Sequence, residues 1–412
     1  MDETSVRGLL AIALGDEPPI GPVARNSLLA GIRLRRRARM RRAVSGAAAV
    51  AVVAAVIPAA TGIFGNTSAR PRTGAPPSVP KVPTGTAYVI DSGGGTVAPI
   101  DLATNTAEKP IHVPGEPVAL TAAPDGKTAY VISGATNSPG ASSDQTMTPI
   151  DLTTDTAEKP IILANPADAM GIAPDGRTGY IINGFPSRTV TRIDLATNKL
   201  GKPITLIDPP IGIVMAPDGK LAYVTIARGA GINESLYYFA PFDLATGRLG
   251  KWIKLSSGDP ASIGIARDGK TAYVVSQSSS RMIAVTPIDL TTLKPEKPIS
   301  IRTKAGPTKG YYGQPLAIAI APDGKTAYVA DGALSTVTPI DLANGTHGKP
   351  ISLSGQVGSD AIAISSNGAA AYVANQPSST VTPIELATSK PEKPIKIGSG
   401  WDSGFEAIIT VP

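Results

Sequence analysis

The sequence predicts an all-β fold, a seven-bladed β-propeller. Three observations carry this: one unit recurs seven times between Thr86 and Pro412, every unit holds four strand-like runs, and the C-terminus supplies the strand the first unit lacks. The recurring unit is clearest in its tyrosine run, TAYVI from Thr86 and Thr128, TGYII from Thr178, LAYVT from Leu221, TAYVV from Thr271, TAYVA from Thr326 and AAYVA from Ala370. These starts lie 42, 50, 43, 50, 55 and 44 residues apart. That period suits a four-stranded antiparallel sheet and is too long for leucine-rich or ankyrin units.

The sixth unit illustrates the four strands. PLAIAIA, Pro315 to Ala321, is a small-residue apolar run suited to a crowded innermost strand; TAYVA, Thr326 to Ala330, and TVTPIDLA, Thr336 to Ala343, alternate as second and third strands. KPISL, Lys349 to Leu353, carries a proline, which an outer edge strand tolerates. Pro322-Asp323-Gly324 reads as a tight turn joining the first two strands, proline presetting φ and glycine taking a positive φ. The first unit opens directly on its tyrosine strand, whereas Phe405 to Pro412 is an innermost-type run with no unit of its own. Exchange of that strand between the two ends closes the ring and removes exposed sheet edges.

YVID, YVIS, YIIN, YVTI, YVVS, YVAD and YVAN, each followed by a strand like TVTPIDL and later by Pro-Asp-Gly, resemble the YVTN-repeat family of bacterial β-propellers over residues 86 to 412. The resemblance implies the propeller fold. It also implies company with surface-layer-like and periplasmic binding proteins, and with lactonases and quinoprotein-type cofactor enzymes. None of those activities follows without its site residues.

Residues 1 to 85 are different material. Residues 1–42 hold nine arginines and four acidic residues, with seven arginines between Arg33 and Arg42. Residues 43–64 follow without a charge, rich in Ala and Val; as a helix they would span about 33 Å, enough for a bilayer core. The arginine cluster on the N-terminal flank sets an inside N-terminus and an extracytoplasmic propeller, localised at the plasma membrane by a single pass. A secretory signal cleaved near Ala69, or a buried Ala-rich helix, are the other readings. Residues 65–85, with five prolines, form an extended spacer. In the tail, Ser5 and Asn26 stand where they would cap short helices, consistent with a docking peptide or with a plain juxtamembrane segment.

Residues 1–85 carry a formal charge of +8, and the propeller, with 26 basic and 28 acidic residues, carries −2, which together give the +6 of the chain. The basic balance is therefore a topology signal and a contact for anionic lipid, with no nucleic-acid partner implied. The chain has no cysteine, which excludes disulfides, thiolate catalysis and iron–sulfur ligation. Its two histidines, His112 and His347, fall in an outer strand and in a third-to-outer turn, so no histidine catalysis, haem ligation or histidine zinc site is expected and no cofactor is assigned, while carboxylate-only chemistry or a carbonyl-ligated Ca²⁺ near the channel stays open. Ser92-Gly-Gly-Gly95 is a hairpin, not a phosphate loop.

Strands that run alternately up and down place the Pro-Asp-Gly turns and third-to-outer turns on one face. The second-to-third and outer-to-inner connections share the other. The first set is nearly uniform, and the second holds the insertions Ser133 to Thr146, Ile226 to Tyr237 and Arg302 to Gln314, with Gly398 to Gly404. Length variation gathered on one face marks the binding side of a repeat scaffold. Phe185, Arg228, Tyr237, Tyr238, Arg302, Lys304, Lys309, Tyr311, Tyr312 and Trp401 fall there, near Glu234 and Asp402, and are the candidate ligand-binding residues. Aromatic platforms with charged neighbours suit a protein, peptide or saccharide ligand, although long loops also fold back on their own aromatics.

The repeated tyrosines, and the aspartates from Asp101 to Asp341 with Glu385 in the last unit, are read as structural. The expected protein is a monomeric binding or scaffolding propeller on a membrane anchor, without catalytic residues. A lactonase-like or redox-cofactor enzyme and a receptor signalling to the tail are the alternatives.

Overall fold

The computed structural model describes residues 83–134, 145–183, 187–228, 236–255, 258–277, 282–302, 316–353, 359–375, 378–398 and 407–412. The expected tail and membrane helix, and the linker up to residue 82, lie outside the described residues. The described strands form seven antiparallel sheets and no α-helix, the architecture of a seven-bladed β-propeller.

Blade 1 is built from Thr86–Asp91, Thr96–Asp101, Thr106–Ala107 and Ile111–His112. The C-terminal strand Ile408–Val411 lies antiparallel to Thr86–Asp91 as the innermost member of this sheet, with Tyr88 opposite Ile409. Blades 2 to 7 run in sequence order from their innermost strands, Glu116–Ala122, Ala167–Ile172, Pro210–Met215, Asp259–Ile265, Leu316–Ile320 and Ser359–Ile364. Each pairs with the tyrosine strand that follows it, and that strand pairs with the Ile-Asp strand, or Phe-Asp and Ile-Glu in blades 4 and 7.

The second strands are buried along their middles on both faces, unlike the half-buried alternation expected from their pattern. Thr86–Asp91 is covered on both sides because each sheet is sandwiched between two neighbours. Alternation survives as a division of size. Ala87 and Val89 pack toward blade 7, whereas Tyr88 and Ile90 pack toward Leu120, Val131 and Ile150 of blade 2. Ala371 and Val373 likewise meet blade 6, with Tyr372 and Ala374 facing blade 1. In each blade the tyrosine fills the widening space toward the next blade.

Three of those tyrosines also carry a polar tip across the interface. The Tyr88 hydroxyl donates to Asp155 Oδ1 at 2.7 Å, Tyr180 to the Leu244 carbonyl at 3.2 Å, and Tyr372 to Asn105 Oδ1 at 3.1 Å. Every acceptor lies in the third-to-outer turn of the following blade. Burial pushes the phenols up, most for Tyr88, so they stay protonated donors.

The outer strand departs from expectation in five blades. It is two short pieces, such as Thr106–Ala107 and Ile111–His112, both paired with the third strand. Lys109-Pro110 lies between them, and its proline has no N–H to donate. In blade 3 the strand runs unbroken from Lys199 to Thr205. His112 and His347 are both exposed on these outer pieces.

Candidate functional site

The two faces of the disc differ in how completely their polar groups are used. On the turn face, Asp125, Asp175, Asp218, Asp268 and Asp323 each accept the backbone N–H two residues on, at 2.9–3.0 Å. The glycine after each has φ between 67 and 69°, the left-handed conformation that lets the turn close. These turns stack around the ring: a Cβ added at Gly176 would lie 3.8 Å from Pro124 Cδ, and one at Gly126 would lie 3.6 Å from Pro412 Cδ. Pro412 thus takes the place in blade 1 that Pro124 takes in blade 2. Arg267 Nη1 donates to the Pro322 carbonyl at 2.7 Å, tying blade 5 to blade 6 on the same face.

The repeated third-strand carboxylates serve the same face. Asp151 accepts the Thr153 N–H and hydroxyl at 2.8 and 2.6 Å, Asp243 accepts Thr246, and Asp341 accepts Ala343 and Asn344. Hydrogen bonds from backbone and side chains hold Asp101, Asp151, Asp194, Asp243, Asp289 and Asp341 below the ordinary carboxylate range. Their role is turn geometry.

The opposite face collects the connections of unequal length. Of the ten candidate residues, Arg228, Tyr237, Tyr238 and Arg302 are placed; Phe185, Lys304, Lys309, Tyr311, Tyr312 and Trp401 lie outside the described residues, as do Glu234 and Asp402. Arg228 ends the second strand of blade 4, exposed, with its Nε 3.5 Å from Asp208 Oδ2. Arg302 ends the outer strand of blade 5 and is exposed. The two tyrosines are half-buried on opposite sides of blade 4. Tyr237 packs against the cluster shared with blade 5, and Tyr238 sits 5.3 Å from the Trp252 ring in the cluster shared with blade 3. Both therefore help to pack the blade, and the exposed residues at this rim are Arg228 and Leu236, directly opposite one another. Ile207, exposed in the adjoining connection, extends the apolar part of the rim.

Beneath this face runs a polar layer that the sequence reading did not single out. The position three residues after each repeat tyrosine is Asp91, Ser133, Asn183, Ile226, Ser276, Asp331 or Asn375, and all seven are buried. Four of the six polar side chains at this register brace the second-to-third connections. Asp91 accepts the Gly94 N–H at 3.0 Å, and Asp331 accepts the Ala333 N–H at 2.9 Å. Asn183 Oδ1 accepts the hydroxyls of Thr189 and Thr191, and Asn375 Nδ2 donates to Thr382 Oγ1 at 2.8 Å. The signal was present in the fourth letter of YVID, YVIS, YIIN, YVVS, YVAD and YVAN.

On the innermost strand of blade 3, Asp168 occupies the bulge between Ala167 and Ala169. Burial pushes its carboxyl up to about 6. The same register shift occurs between Pro117 and Ala119, Pro210 and Gly212, Pro260 and Ser262, and Ser359 and Ala361. Such bulges re-aim a side chain at the rim of a sheet. Among the described residues no three His, Asp or Glu side chains are grouped to hold a metal ion, and no helix is long and apolar enough to cross a membrane.

No protein-family model matches the chain, and no curated protein sequence matches it. Solved structures do. Hydrazine synthase of Kuenenia stuttgartiensis matches at 19% identity and a TM-score of 0.62, over 79% of this chain and 99% of that one. A functionally unknown protein from Desulfotomaculum acetoxidans matches at 16% identity and 0.56, over 78% and 99%. Dihydro-heme d1 dehydrogenase NirN in complex with DHE matches at 17% identity and 0.51, over 81% and 77%. At these identities the likeness establishes the fold, a seven-bladed β-propeller.

Proposed function

We propose that this protein is a membrane-anchored, extracytoplasmic propeller that binds a protein, peptide or saccharide ligand on its variable face. The observation that carries the proposal is the asymmetry of the disc. One face engages its turn carboxylates and three of its repeat tyrosines in internal hydrogen bonds, while the other gathers the unequal connections over a buried polar layer. Exposed Arg228 and Arg302, with Leu236 and Ile207, give that rim the mixed apolar and cationic character of a binding surface. The charge-free run 43–64 behind an arginine cluster supports the anchor.

The test is capture of partners by the full-length chain from detergent extracts. Once a ligand is in hand, Arg228→Ala with Arg302→Ala should weaken it at least tenfold at an unchanged melting temperature. Full affinity in that variant, with loss on Arg267→Ala at the opposite face, would place the site on the wrong side for this reading. Protease added to intact spheroplasts should cut the propeller and spare residues 1–42.

A second reading is a lactonase-like or redox-cofactor enzyme. Asp168, a carboxyl that burial raises to about 6 on an innermost strand, favours it, as does the likeness to dihydro-heme d1 dehydrogenase NirN. A Soret band in the purified chain would support that reading over a binding module.

A further inference from the structure

Three hydroxyls gather at one place in blade 2, where the equivalent position of blade 5 has a single unpartnered hydroxyl, Ser276 Oγ. Ser133 Oγ, Thr146 Oγ1 and Thr148 Oγ1 are buried and have no hydrogen-bond partner. Ser133 pairs directly with Thr146 across the second and third strands, and Thr148 is two residues along on the same face. A buried hydroxyl without a partner costs on the order of 1–3 kcal/mol, so three at one place need an explanation.

Blades 3 and 7 supply it. There the residue equivalent to Ser133 is an asparagine, and its amide reaches both threonines. Asn183 Oδ1 accepts from Thr189 Oγ1 at 3.1 Å and from Thr191 Oγ1 at 2.5 Å, while Asn375 Nδ2 donates to Thr380 Oγ1 at 3.3 Å and Thr382 Oγ1 at 2.8 Å. Serine is shorter than asparagine by one heavy atom along the chain. Its hydroxyl stops short of the position from which an amide touches both threonines.

We propose that blade 2 holds an internal water molecule at the place the asparagine amide occupies in blades 3 and 7, bonded to Ser133, Thr146 and Thr148. A water offers two donors and two acceptors, and each hydroxyl offers one donor and spare acceptor capacity, so all three are satisfied at once. Three bonds to otherwise unpaired buried groups is the ordinary coordination of a structural water. The site has a consequence for the variable face. Ser133 and Thr146 are the two roots of the 133–146 connection, so the water clasps the base of that loop where the asparagines clasp theirs directly.

Crystals of the full-length protein at a resolution that shows ordered solvent test this. An isolated peak about 2.7–3.2 Å from all three oxygens is expected. In Ser133→Asn that peak should vanish, with the new amide in its place. No peak in the parent, contacts near 2.4 Å that mark a cation, or a peak that persists in Ser133→Asn would overturn the proposal. Stability gives an independent reading through Thr148→Val. If the hydroxyl serves a bound water, the substitution removes a partner and lowers the Tm by about 2 °C. If the hydroxyl has no partner at all, the apolar isostere raises the Tm, and the proposal fails.

Discussion

Removal of residues 404–412 tests how the ring holds together. The strand Ile408–Val411 pairs with Thr86–Val89 and brings Ile408, Ile409 and Val411 to 0, 2 and 5% exposure, with Ala407 at 2%. Ile408 packs among blades 7 and 1, Ile409 and Val411 among blades 1 and 2, and the Thr410 hydroxyl donates to the Ile364 carbonyl at 2.7 Å. Burying a side chain of this size contributes about 1.5–3 kcal/mol, so three of them amount to roughly 5–9 kcal/mol before the lost hydrogen bonds. A whole domain is stable by only about 5–15 kcal/mol. The truncated chain, left with an open edge on Thr86–Asp91 as well, should melt at least 10 °C lower or fail to fold. Calorimetry and circular dichroism on the parent, the truncation and an internal deletion of residues 138–143 make the comparison. The internal deletion removes polar connecting sequence and should stay within a few degrees of the parent. Ile408→Ala is the milder form, expected to cost about 2–5 kcal/mol. A truncation with the parent's midpoint would refute the reasoning, because no other element in the described residues supplies that strand.

Tyr372→Phe removes the hydroxyl that reaches Asn105 across the junction of blades 7 and 1, and should lower stability by about 1 kcal/mol in chemical denaturation; an unchanged midpoint would show that the phenol acts by packing alone. The depressed carboxylates from Asp101 to Asp341 add stability that is present above the ordinary carboxylate range and lost as pH falls through their lower folded values, so melting at pH 3 should lie well below melting at pH 7. Asp168 has the opposite sign. Its pKa is raised to about 6, so its ionisation costs stability increasingly from about pH 4 to 6 and in full above that. Asp168→Asn should accordingly raise the melting temperature at pH 8 and leave it unchanged at pH 4. Equal effects at both values would mean that the carboxyl is not desolvated.

The sequence by itself determined the number of blades, the order of their strands and the chemistry of their turns. These features are local: Pro-Asp-Gly closes its turn through its own ring, carboxylate and glycine, and the spacing of the tyrosine runs counts the sheets without reference to any contact between them. Asp151 and its relatives were likewise legible as structural, because their partners lie two and three residues along the chain. What only the tertiary structure decided concerns groups whose partners belong to another blade. The pattern of Thr86–Asp91 looks half-exposed in isolation, and packing between two sheets converts it into a division between small side chains facing one blade and large ones facing the other. Tyr237 and Tyr238 read as free loop aromatics because strand length there exceeds the repeat; the longer hairpin of blade 4 instead folds them against its two neighbours. The buried polar layer from Asp91 to Asn375 was written in every repeat, yet its meaning depends on burial, which separates a hydroxyl facing water from one that needs a partner inside the protein.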